Sequence, residues 1–316
     1  MDIRFYDFEF NLVYIVSDWT SVNWELHYNK VGTFELHLPL HTDICKMLEN
    51  NKYLVAIQGD KQAIITGKML SDEIVIHGRT TNWILTKRVI LPFVITKETQ
   101  IGEIILTNLG KIFDQQDNFY LPQTIVGSST INSYELKKAK DASTFLIEMC
   151  EQSALGHRVK FIPSKHRWEL EILKGDEKHF IISQDNKNAY QPKLTWDNLD
   201  MCNGIYYKDA NDTYRLIPSN KLGIYRWYDV SENDNLSDAK ADMSGHTEHT
   251  MLTYNTTYFL HGKDYMIGDS VFVETSFGGN KKRQKKVITG IRIWNEGNSD
   301  GECPIFGEKE NDADAN

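Results

Sequence analysis

The sequence predicts a mainly β protein of the α+β class, in which two similar antiparallel β-barrel domains flank an inserted α+β domain. Polar and apolar residues alternate along several segments near both ends of the chain, which predicts strands there. Apolar residues at helical spacing are concentrated between residues 96 and 175. Aromatic residues are plentiful, with 15 Tyr, 14 Phe and 7 Trp, and this composition favours strands over helices.

The clearest local pattern covers residues 22–40. Apolar residues alternate with polar ones on both sides of a short glycine-containing turn, which predicts an antiparallel hairpin with one buried face. Pro39 cannot donate a ladder hydrogen bond, so we expect it to close the second strand. The polar side of the first strand carries Asn23, Glu25 and His27, which are our first candidates for a lumen or interface surface.

Residues 1–95 are predicted to form the first barrel domain. About six strands are expected, enough to close a small barrel, with one helix over residues 41–51 packed against them. Thr42 is the expected cap of that helix, and Ile44 and Met47 fall on its apolar face.

Residues 96–175 are predicted to form the inserted domain. Helical spacing appears over residues 99–113 and again over residues 141–153, where Asp141 is the expected N-cap. A second hairpin should follow, with strands over residues 157–162 and 167–173.

Residues 176–307 are predicted to form the second barrel domain with its connecting strands. Residues 231–245 are polar, as expected of a loop or a frayed helix. Residues 276–286 are interpreted as a basic hairpin tip, with residues 287–294 as its return strand. We expect the tip either to be solvated or to contact an acidic neighbouring subunit through its five cations, which are Lys281, Lys282, Arg283, Lys285 and Lys286. Residues 308–316 are acidic and are predicted to be disordered.

A short internal repeat supports the idea of two related barrels. The tripeptide Ile-Thr-Gly occurs at residues 65–67 and again at residues 288–290. In each place it follows a short apolar strand, at residues 55–57 and at residues 271–273. We therefore expect both copies to lie on return strands of equivalent hairpins.

Composition excludes several classes of function. The formal net charge of −9 argues against binding of nucleic acid by a general basic field. The four cysteines are far apart in the sequence and suit buried thiols in a reducing cytoplasm better than a metal cluster. No signal peptide is evident, and no apolar run reaches the roughly 18 residues of a membrane-spanning helix.

Catalytic and metal motifs are weak. The segment His246-Thr247-Glu248-His249 places two histidines three residues apart without a clear third ligand, so a solvated loop is favoured over a zinc site. The acidic pairs at residues 72–73 and 176–177 are adjacent in sequence, and adjacent strand residues point to opposite faces. No nucleophile elbow, phosphate loop or dinucleotide motif occurs. We expect no enzymatic activity, no cofactor and no bound metal.

The order of the short motifs is similar to that of a known family. The motifs are Trp24, Asn29-x-x-Gly32-x-Phe34-x-Leu36-x-Leu38-Pro39, Ile76-x-Gly78-Arg79, Leu85-x-x-Arg88, Gly156, Asn203, Gly268-Asp269-x-Val271-x-Val273, Ile288-Thr289 and Pro304-x-Phe306-Gly307. In this order and spacing, which covers nearly the whole chain, the sequence resembles the siphovirus-type tail-hub proteins of phages and prophages of Gram-positive hosts.

The resemblance implies a structural protein of the virion at the distal end of a phage tail. In such hubs each subunit contributes two tube-type β-barrels, so that a homotrimer forms a pseudo-sixfold ring. The implied partners are a hexamer of the tail tube or distal tail protein, the tape-measure protein, and receptor-binding or tail-fibre proteins. DNA would pass through the lumen during ejection without sequence-specific binding. Many relatives carry a further cell-wall-cleaving module that this sequence does not show, so we do not expect cleavage.

A second function remains open at this stage. The insertion over residues 96–175 could hold the site of a glycan-binding baseplate module or of a cell-wall-degrading enzyme. Trp168 and Tyr134 are the nearest aromatic candidates for such a site, although Trp168 is expected to pack beneath its hairpin.

Overall fold

The computed structural model describes residues 2–113, 115–199, 201–209, 211–247, 249–256, 258–297 and 299–307. Its α-helices in this part of the chain are Thr42–Asn50 (α1), Ile101–Ile112 (α2), Ala142–Glu151 (α3) and Leu236–Gly245 (α4). Short 3₁₀ helices cover Thr81–Lys87, Gln115–Asp117, Pro163–Lys165 and Gly223–Tyr225. The predicted acidic tail, residues 308–316, lies outside the described residues.

Strands make up most of the regular structure. The strands of the first half are Ile3–Asp7 (β1), Leu12–Val16 (β2), Ser21–His27 (β3), Thr33–Pro39 (β4), Leu54–Gln58 (β5), Lys61–Leu70 (β6), Glu73–Thr80 (β7), Val89–Ile90 (β8), Phe93–Ile95 (β9), Thr99–Gln100 (β10), Phe119–Tyr120 (β11), Thr130–Ile131 (β12), Tyr134–Leu136 (β13) and Lys140–Asp141 (β14). Those of the second half are Gly156–Ile162 (β15), Arg167–Leu173 (β16), Glu177–Ile182 (β17), Ala189–Asp197 (β18), Gly204–Lys208 (β19), Tyr214–Ile217 (β20), Tyr228–Val230 (β21), His249–Thr256 (β22), Ser270–Phe277 (β23), Asn280–Val287 (β24), Gly290–Glu296 (β25) and Ser299–Phe306 (β26).

The chain divides into two compact units. The first contains residues 1–192 and 254–306, and the second contains residues 193–253 and 307–316. The sequence suggested boundaries at residues 95, 175 and 307 instead. That three-domain division stays a prediction.

A large antiparallel sheet forms the frame of the first unit. Nine of its strands follow one another in the order β26-β25-β3-β4-β7-β6-β5-β1-β2. The sheet also includes β18 and β22, the strands in which the chain passes from one unit to the other. The mainly β, α+β class is therefore confirmed. In the described part of the chain the ladders form one open series between β18 and β2, and no closed barrel is found there.

The predicted hairpin over residues 22–40 is confirmed as β3 and β4. Trp24 lies opposite Phe34 across the hairpin, and their ring centroids are 4.3 Å apart. The Trp24 indole N–H donates to the Gln58 side-chain oxygen at 2.9 Å, so the only polar atom of this buried ring is satisfied. Pro39 ends β4, as expected of a residue that cannot donate to the ladder.

The predicted helices are confirmed with small changes at their ends. The α1 helix begins at Thr42, but its cap is His41, whose ring nitrogen accepts the Asp43 amide, and the expected Thr42 cap is wrong. The α3 helix is capped by Asp141 as predicted, through the amide of Thr144 at 3.0 Å. The polar stretch before residue 245 forms α4, with an Asn235 cap.

The middle of the chain packs around an apolar core that also takes in Phe10, Val55 and Ile64 from the N-terminal part of the chain. Helices α2 and α3 pack with the β15–β16 hairpin around buried apolar side chains, which include Ile105, Phe145 and Phe161. Trp168 on β16 is 4% exposed and belongs to this core, as expected of a residue beneath its hairpin.

Tyr28, just after β3, connects the central sheet with the insertion. Its hydroxyl donates to the Leu173 carbonyl at 3.1 Å, and its carbonyl accepts the His157 amide at 3.0 Å. A Cβ atom at Gly156 would lie 2.4 Å from the Tyr28 ring, and one at Gly268 would lie 2.2 Å from it. Glycine is therefore required on both sides of the ring.

The predicted hairpin with its tip within residues 276–286 is present, but the expectation that the tip carries the five cations is wrong. The five cations lie on a regular strand, β24, which pairs antiparallel with β23 from Ser270↔Val287 to Phe277↔Asn280. The turn is made by Gly278 and Gly279, which both have positive φ. The sequence prediction failed because the low strand propensity of lysine was outweighed by pairing with β23 and by local carboxylates.

The repeated Ile-Thr-Gly tripeptide does not mark equivalent strands. Residues 65–67 lie within β6, at a register shift opposite β7. Residues 288–290 lie at the junction between β24 and β25, and β25 pairs with β3 and β26 rather than with β23. The expectation of two matching return strands is wrong, because three identical residues do not fix tertiary context.

Candidate functional site

The candidate lumen residues Asn23, Glu25 and His27 lie on one face of β3. Strand alternation places Val22 and Trp24 on the opposite, buried face. The same face continues across the neighbouring strands of the sheet. We define the polar face by Asn23, Glu25 and His27 of β3, Arg292 and Trp294 of β25, Glu35 and His37 of β4, and Glu73 and His77 of β7.

Glu25 is the most strongly held group of the polar face. The Arg292 Nε atom donates to one carboxylate oxygen at 2.5 Å, and the His27 Nε2 atom lies 3.0 Å from the other. Burial alone would raise the pKa of Glu25, but the contacts with His27 and Arg292 outweigh it and lower the pKa to about 2. Glu25 therefore stays ionised well into the acid range.

A second cluster lies along β4 and β7. The two ring nitrogens of His37 lie 3.0 Å from a Glu35 oxygen and 3.2 Å from a Glu73 oxygen. The His77 ring approaches the other Glu35 oxygen at 3.3 Å. Burial alone would lower the pKa of His37, whereas the two carboxylates raise it, and the net shift is upward.

The polar face has a shallow cleft but no catalytic geometry. A cavity of about 320 Å³ lies between β3 and β25, beside Asn23, Glu25 and Arg292. The carboxylates are already bonded to cations or imidazoles of the same face, so no unshared acid and base pair stands over the cleft. Such a surface can contact a polar partner or face water.

The candidate cations on β24 are placed away from the polar face, on the outer strand of the β17-β23-β24 sheet. The Lys281 ammonium lies 2.6 Å from Asp185 and 2.9 Å from Glu274, and Lys285 lies 2.8 Å from Glu177. The Arg283 guanidinium lies 4.9 Å from the centre of the Phe272 ring. For Lys282 and Lys286 the described residues show no carboxylate within salt-bridge distance. Positive charge at the edge of a sheet discourages non-specific strand pairing.

The sequence analysis missed an uncovered apolar surface in the second unit. One side of the β20-β19-β21 sheet packs on α4 through Ile205, Tyr207 and Ala239. The other side, which we call the open face, exposes Tyr206, Tyr214, Leu216, Tyr228 and Val230. The apolar density of residues 222–230 was the available signal, but it has no clear period.

The segment that the sequence analysis weighed as a zinc site, residues 246–249, is only partly described. The His246 ring lies 3.5 Å from Asp229 and 3.5 Å from Asp242, which are contacts of a surface ion pair. Glu248 and the side chain of His249 lie outside the described residues. Among residues that the structure describes, no group of three or more metal-ligating side chains comes together.

The aromatic candidates of the insertion are not exposed platforms. Trp168 is buried, and Tyr134 is half-buried on β13, where burial raises the pKa of its hydroxyl to about 12. No helix in the described ranges is long and apolar enough to cross a bilayer.

Comparison with known proteins identifies the fold. Residues 2–106 match a family model described as Siphovirus ReqiPepy6 Gp37-like protein. The sequence matches no curated protein. Solved structures with the same fold include a tail protein from Neisseria meningitidis MC58, with 11% identity over 98% of this chain and 96% of the other and a TM-score of 0.55.

Two further structures agree with this match. The 43 kDa tail protein of prophage MuSo2 from Shewanella oneidensis has 12% identity, covers 96% of each chain and gives a TM-score of 0.57. The prophage tail protein gp18 from Listeria monocytogenes EGD-e has 13% identity over 98% of this chain and 95% of the other, with a TM-score of 0.54. The chain therefore has the fold of these tail proteins, and the resemblance to phage tail proteins that the sequence indicated is confirmed at the level of the fold and of the family model over residues 2–106.

Proposed function

We propose that this chain is a structural hub of a phage or phage-derived tail. Three copies would form a pseudo-sixfold ring that closes the tail tube, connects it to receptor-binding parts and lets the tape-measure protein and DNA pass. The observation that carries the proposal is the length of the fold match. More than nine tenths of this chain and of each of three tail proteins superpose.

The exposed surfaces of the chain support assembly with other copies or partners. The open face places three tyrosines, a leucine and a valine in water on one side of a sheet. Contiguous apolar surface of this kind is typical of protein interfaces. The pseudo-sixfold element rests on the family resemblance alone, since the internal repeat that suggested it is not structurally equivalent.

The polar face suits a lumen wall. Its one arginine is bonded to Glu25, its other carboxylates contact histidines, and the chain as a whole carries a net charge of −9. A surface without free cations repels or ignores a phosphate backbone, so passing DNA would not be retained. A place at the distal end of the tail, with a tube hexamer on one side and fibre proteins on the other, follows from the same proposal.

The proposed role is not enzymatic. Glu169 and Glu171 of the insertion are each bonded to cations, Glu169 to Arg167 and Glu171 to Arg158 and Lys160. A zymogram against cell-wall material tests this part of the proposal. No clearing is expected, and clearing by the purified chain would favour the glycan-processing alternative.

Assembly is tested by sedimentation velocity and negative-stain imaging of the purified chain, alone and with a tube hexamer. A trimeric species with a central opening is expected at micromolar concentration. A species that stays monomeric under both conditions would contradict the hub. Images of particles labelled on this chain would show whether it lies at the distal end of the tail.

A further inference from the structure

The β15–β16 hairpin leaves part of one strand edge unpaired. On one side, β16 pairs with β15 from Gly156↔Leu173 to Ile162↔Arg167. On the other side, β11 pairs with β16 only at Trp168 and Glu169. The chain then turns away at Pro122, and the remaining edge of β16 has no ladder partner among the described residues.

The direction of the free backbone groups follows from the pairing. The Trp168 amide donates to the Asn118 carbonyl at 2.8 Å, so the backbone of Trp168 points towards β11. Backbone direction alternates along a strand, so the N–H and C=O groups of Leu170 and Ile172 point the same way. In the described structure no strand pairs with these groups, because the ladder with β11 ends at Glu169.

A cleft lies against this edge. It encloses about 630 Å³, within the range of ligand-binding clefts, and the segment of residues 120–126 forms its far wall. Leu170, Ile172, Ile125 and Val126 supply its apolar surface. Val126 is 81% exposed, so its apolar surface is accessible to an occupant of the cleft.

The charge of the cleft favours an acidic occupant. Its two carboxylates, Glu169 and Glu171, are already held by cations of the hairpin. Lys174 also lines the cleft, and the described residues place no carboxylate within salt-bridge distance of it. An incoming carboxylate would therefore meet one cation that is not yet neutralised.

We propose that this slot, formed by the β16 edge at residues 170–172 and the wall at residues 120–126, binds an extended acidic peptide segment of a partner protein. The segment adds as a short strand, with its backbone bonded to Leu170 and Ile172 and a carboxylate near Lys174. Free donors and acceptors at alternate residues match an extended polypeptide better than a sugar. The site is independent of the proposed ring and does not rest on it.

The test uses the full-length chain and a blocked hexapeptide of alternating valine and aspartate, with binding followed by fluorescence anisotropy. Two matched controls are a hexapeptide of alternating valine and lysine, and the acidic peptide with N-methylated amides, which cannot donate. Saturable binding of the acidic peptide is expected at or below millimolar concentration, at least tenfold tighter than either control, roughly the effect of one or two hydrogen bonds.

Two variants locate the binding. Ile172→Pro removes the amide that faces the cleft and leaves the bonds to β15, so the acidic peptide should bind at least tenfold more weakly, roughly the effect of a lost hydrogen bond. Lys174→Glu should weaken it by a similar factor and abolish the preference over the lysine peptide. A melting curve confirms that each variant is folded, and Lys174→Glu remains informative if Ile172→Pro is not.

Four results would overturn the proposal. The first is no binding at millimolar peptide, and the second is equal binding of the N-methylated peptide. The third is that Ile172→Pro abolishes self-association of the chain and leaves peptide binding unchanged. The fourth is displacement of the peptide by cell-wall oligosaccharides. The third would assign the slot to a second copy, and the fourth would assign it to a glycan.

Discussion

The polar face of the first unit and the open face of the second unit show two ways in which a sheet presents itself to solvent. On the polar face, the charged side chains bond to one another, as Glu25 does with Arg292 and His27. On the open face, Tyr206 and Leu216 lie opposite each other in the ladder and stay exposed. The first surface needs no partner to be stable in water, whereas the second gains free energy when it is covered.

The two surfaces also lie over cores of different size. The polar face lies over a large core in which Trp24 and Phe34 are almost fully buried. The open face belongs to a three-stranded sheet with a small core on α4. A small sheet covered on one side is close to the limit of independent stability. Covering its second side with another subunit would stabilise the second unit as well.

The largest loss of folding stability is expected from truncation of a core side chain beneath the polar face. Trp24→Ala eliminates a buried aromatic side chain and its hydrogen bond to Gln58, and should lower the free energy of unfolding by about 3–5 kcal/mol. Urea denaturation measures this. Trp294→Ala, at a half-buried tryptophan of the polar face itself, is the control and should cost less than half as much. Equal costs would mean that the polar face is itself part of the core.

The second effect concerns assembly rather than folding. Tyr206→Asp with Leu216→Asp places two charges at the centre of the open face, and should raise the dissociation constant of the oligomer by about 100-fold. Sedimentation equilibrium measures the change. Glu73→Gln on the polar face is the control and should leave the constant within about threefold. An unchanged oligomer in the aspartate variant would show that the open face is not an interface.

Acidic pH should lower the stability that Glu25 contributes to the folded chain. Its pKa is lower in the folded chain, at about 2, than the ordinary value of 4.5. The unfolded chain therefore binds the proton more tightly, and the stability contributed by Glu25 is present above pH 4.5 and is lost as the pH falls towards 2. Glu25→Gln should cost about 1–3 kcal/mol at pH 7.

The measurement is urea unfolding of wild type and Glu25→Gln at pH 7, 5, 4 and 3. The difference between them should shrink steadily below pH 4.5. A difference that is constant with pH would mean that the hydrogen-bond geometry, and not the charge, provides the stability.

The smallest effect on stability is expected at His37, and its pH dependence is opposite to that of Glu25. The pKa of His37 is raised in the folded chain by Glu35 and Glu73, so its contribution is complete below the ordinary value of 6.5. The contribution is lost as the pH rises through the higher folded value. His37→Gln should therefore cost up to about 1 kcal/mol at pH 5.5 and close to nothing at pH 9. Thermal melts at both pH values, with His179→Gln at an exposed histidine of β17 as control, check this.

Local patterns in the sequence determined much of the architecture of this protein. Alternation and a proline defined β3 and β4, helical spacing and a cap at Asp141 defined α3, and the order of short motifs indicated a tail protein. These features depend on neighbours within a few residues, because strand alternation, helix periodicity and capping are short-range effects. Strand alternation also predicted that Asn23, Glu25 and His27 share one face of β3, but not which residues of other strands lie beside them.

Tertiary structure alone decided the rest. The sequence could not show that β25 pairs with β3 and brings Arg292 to Glu25, since the two residues are 267 positions apart. It could not show that a lysine-rich segment becomes a strand, because carboxylates at Asp185, Glu274 and Glu177 come from other elements. Which strand edge stays free, and which apolar face stays open, depends on pairings between distant segments, and those pairings exist only after the chain has folded.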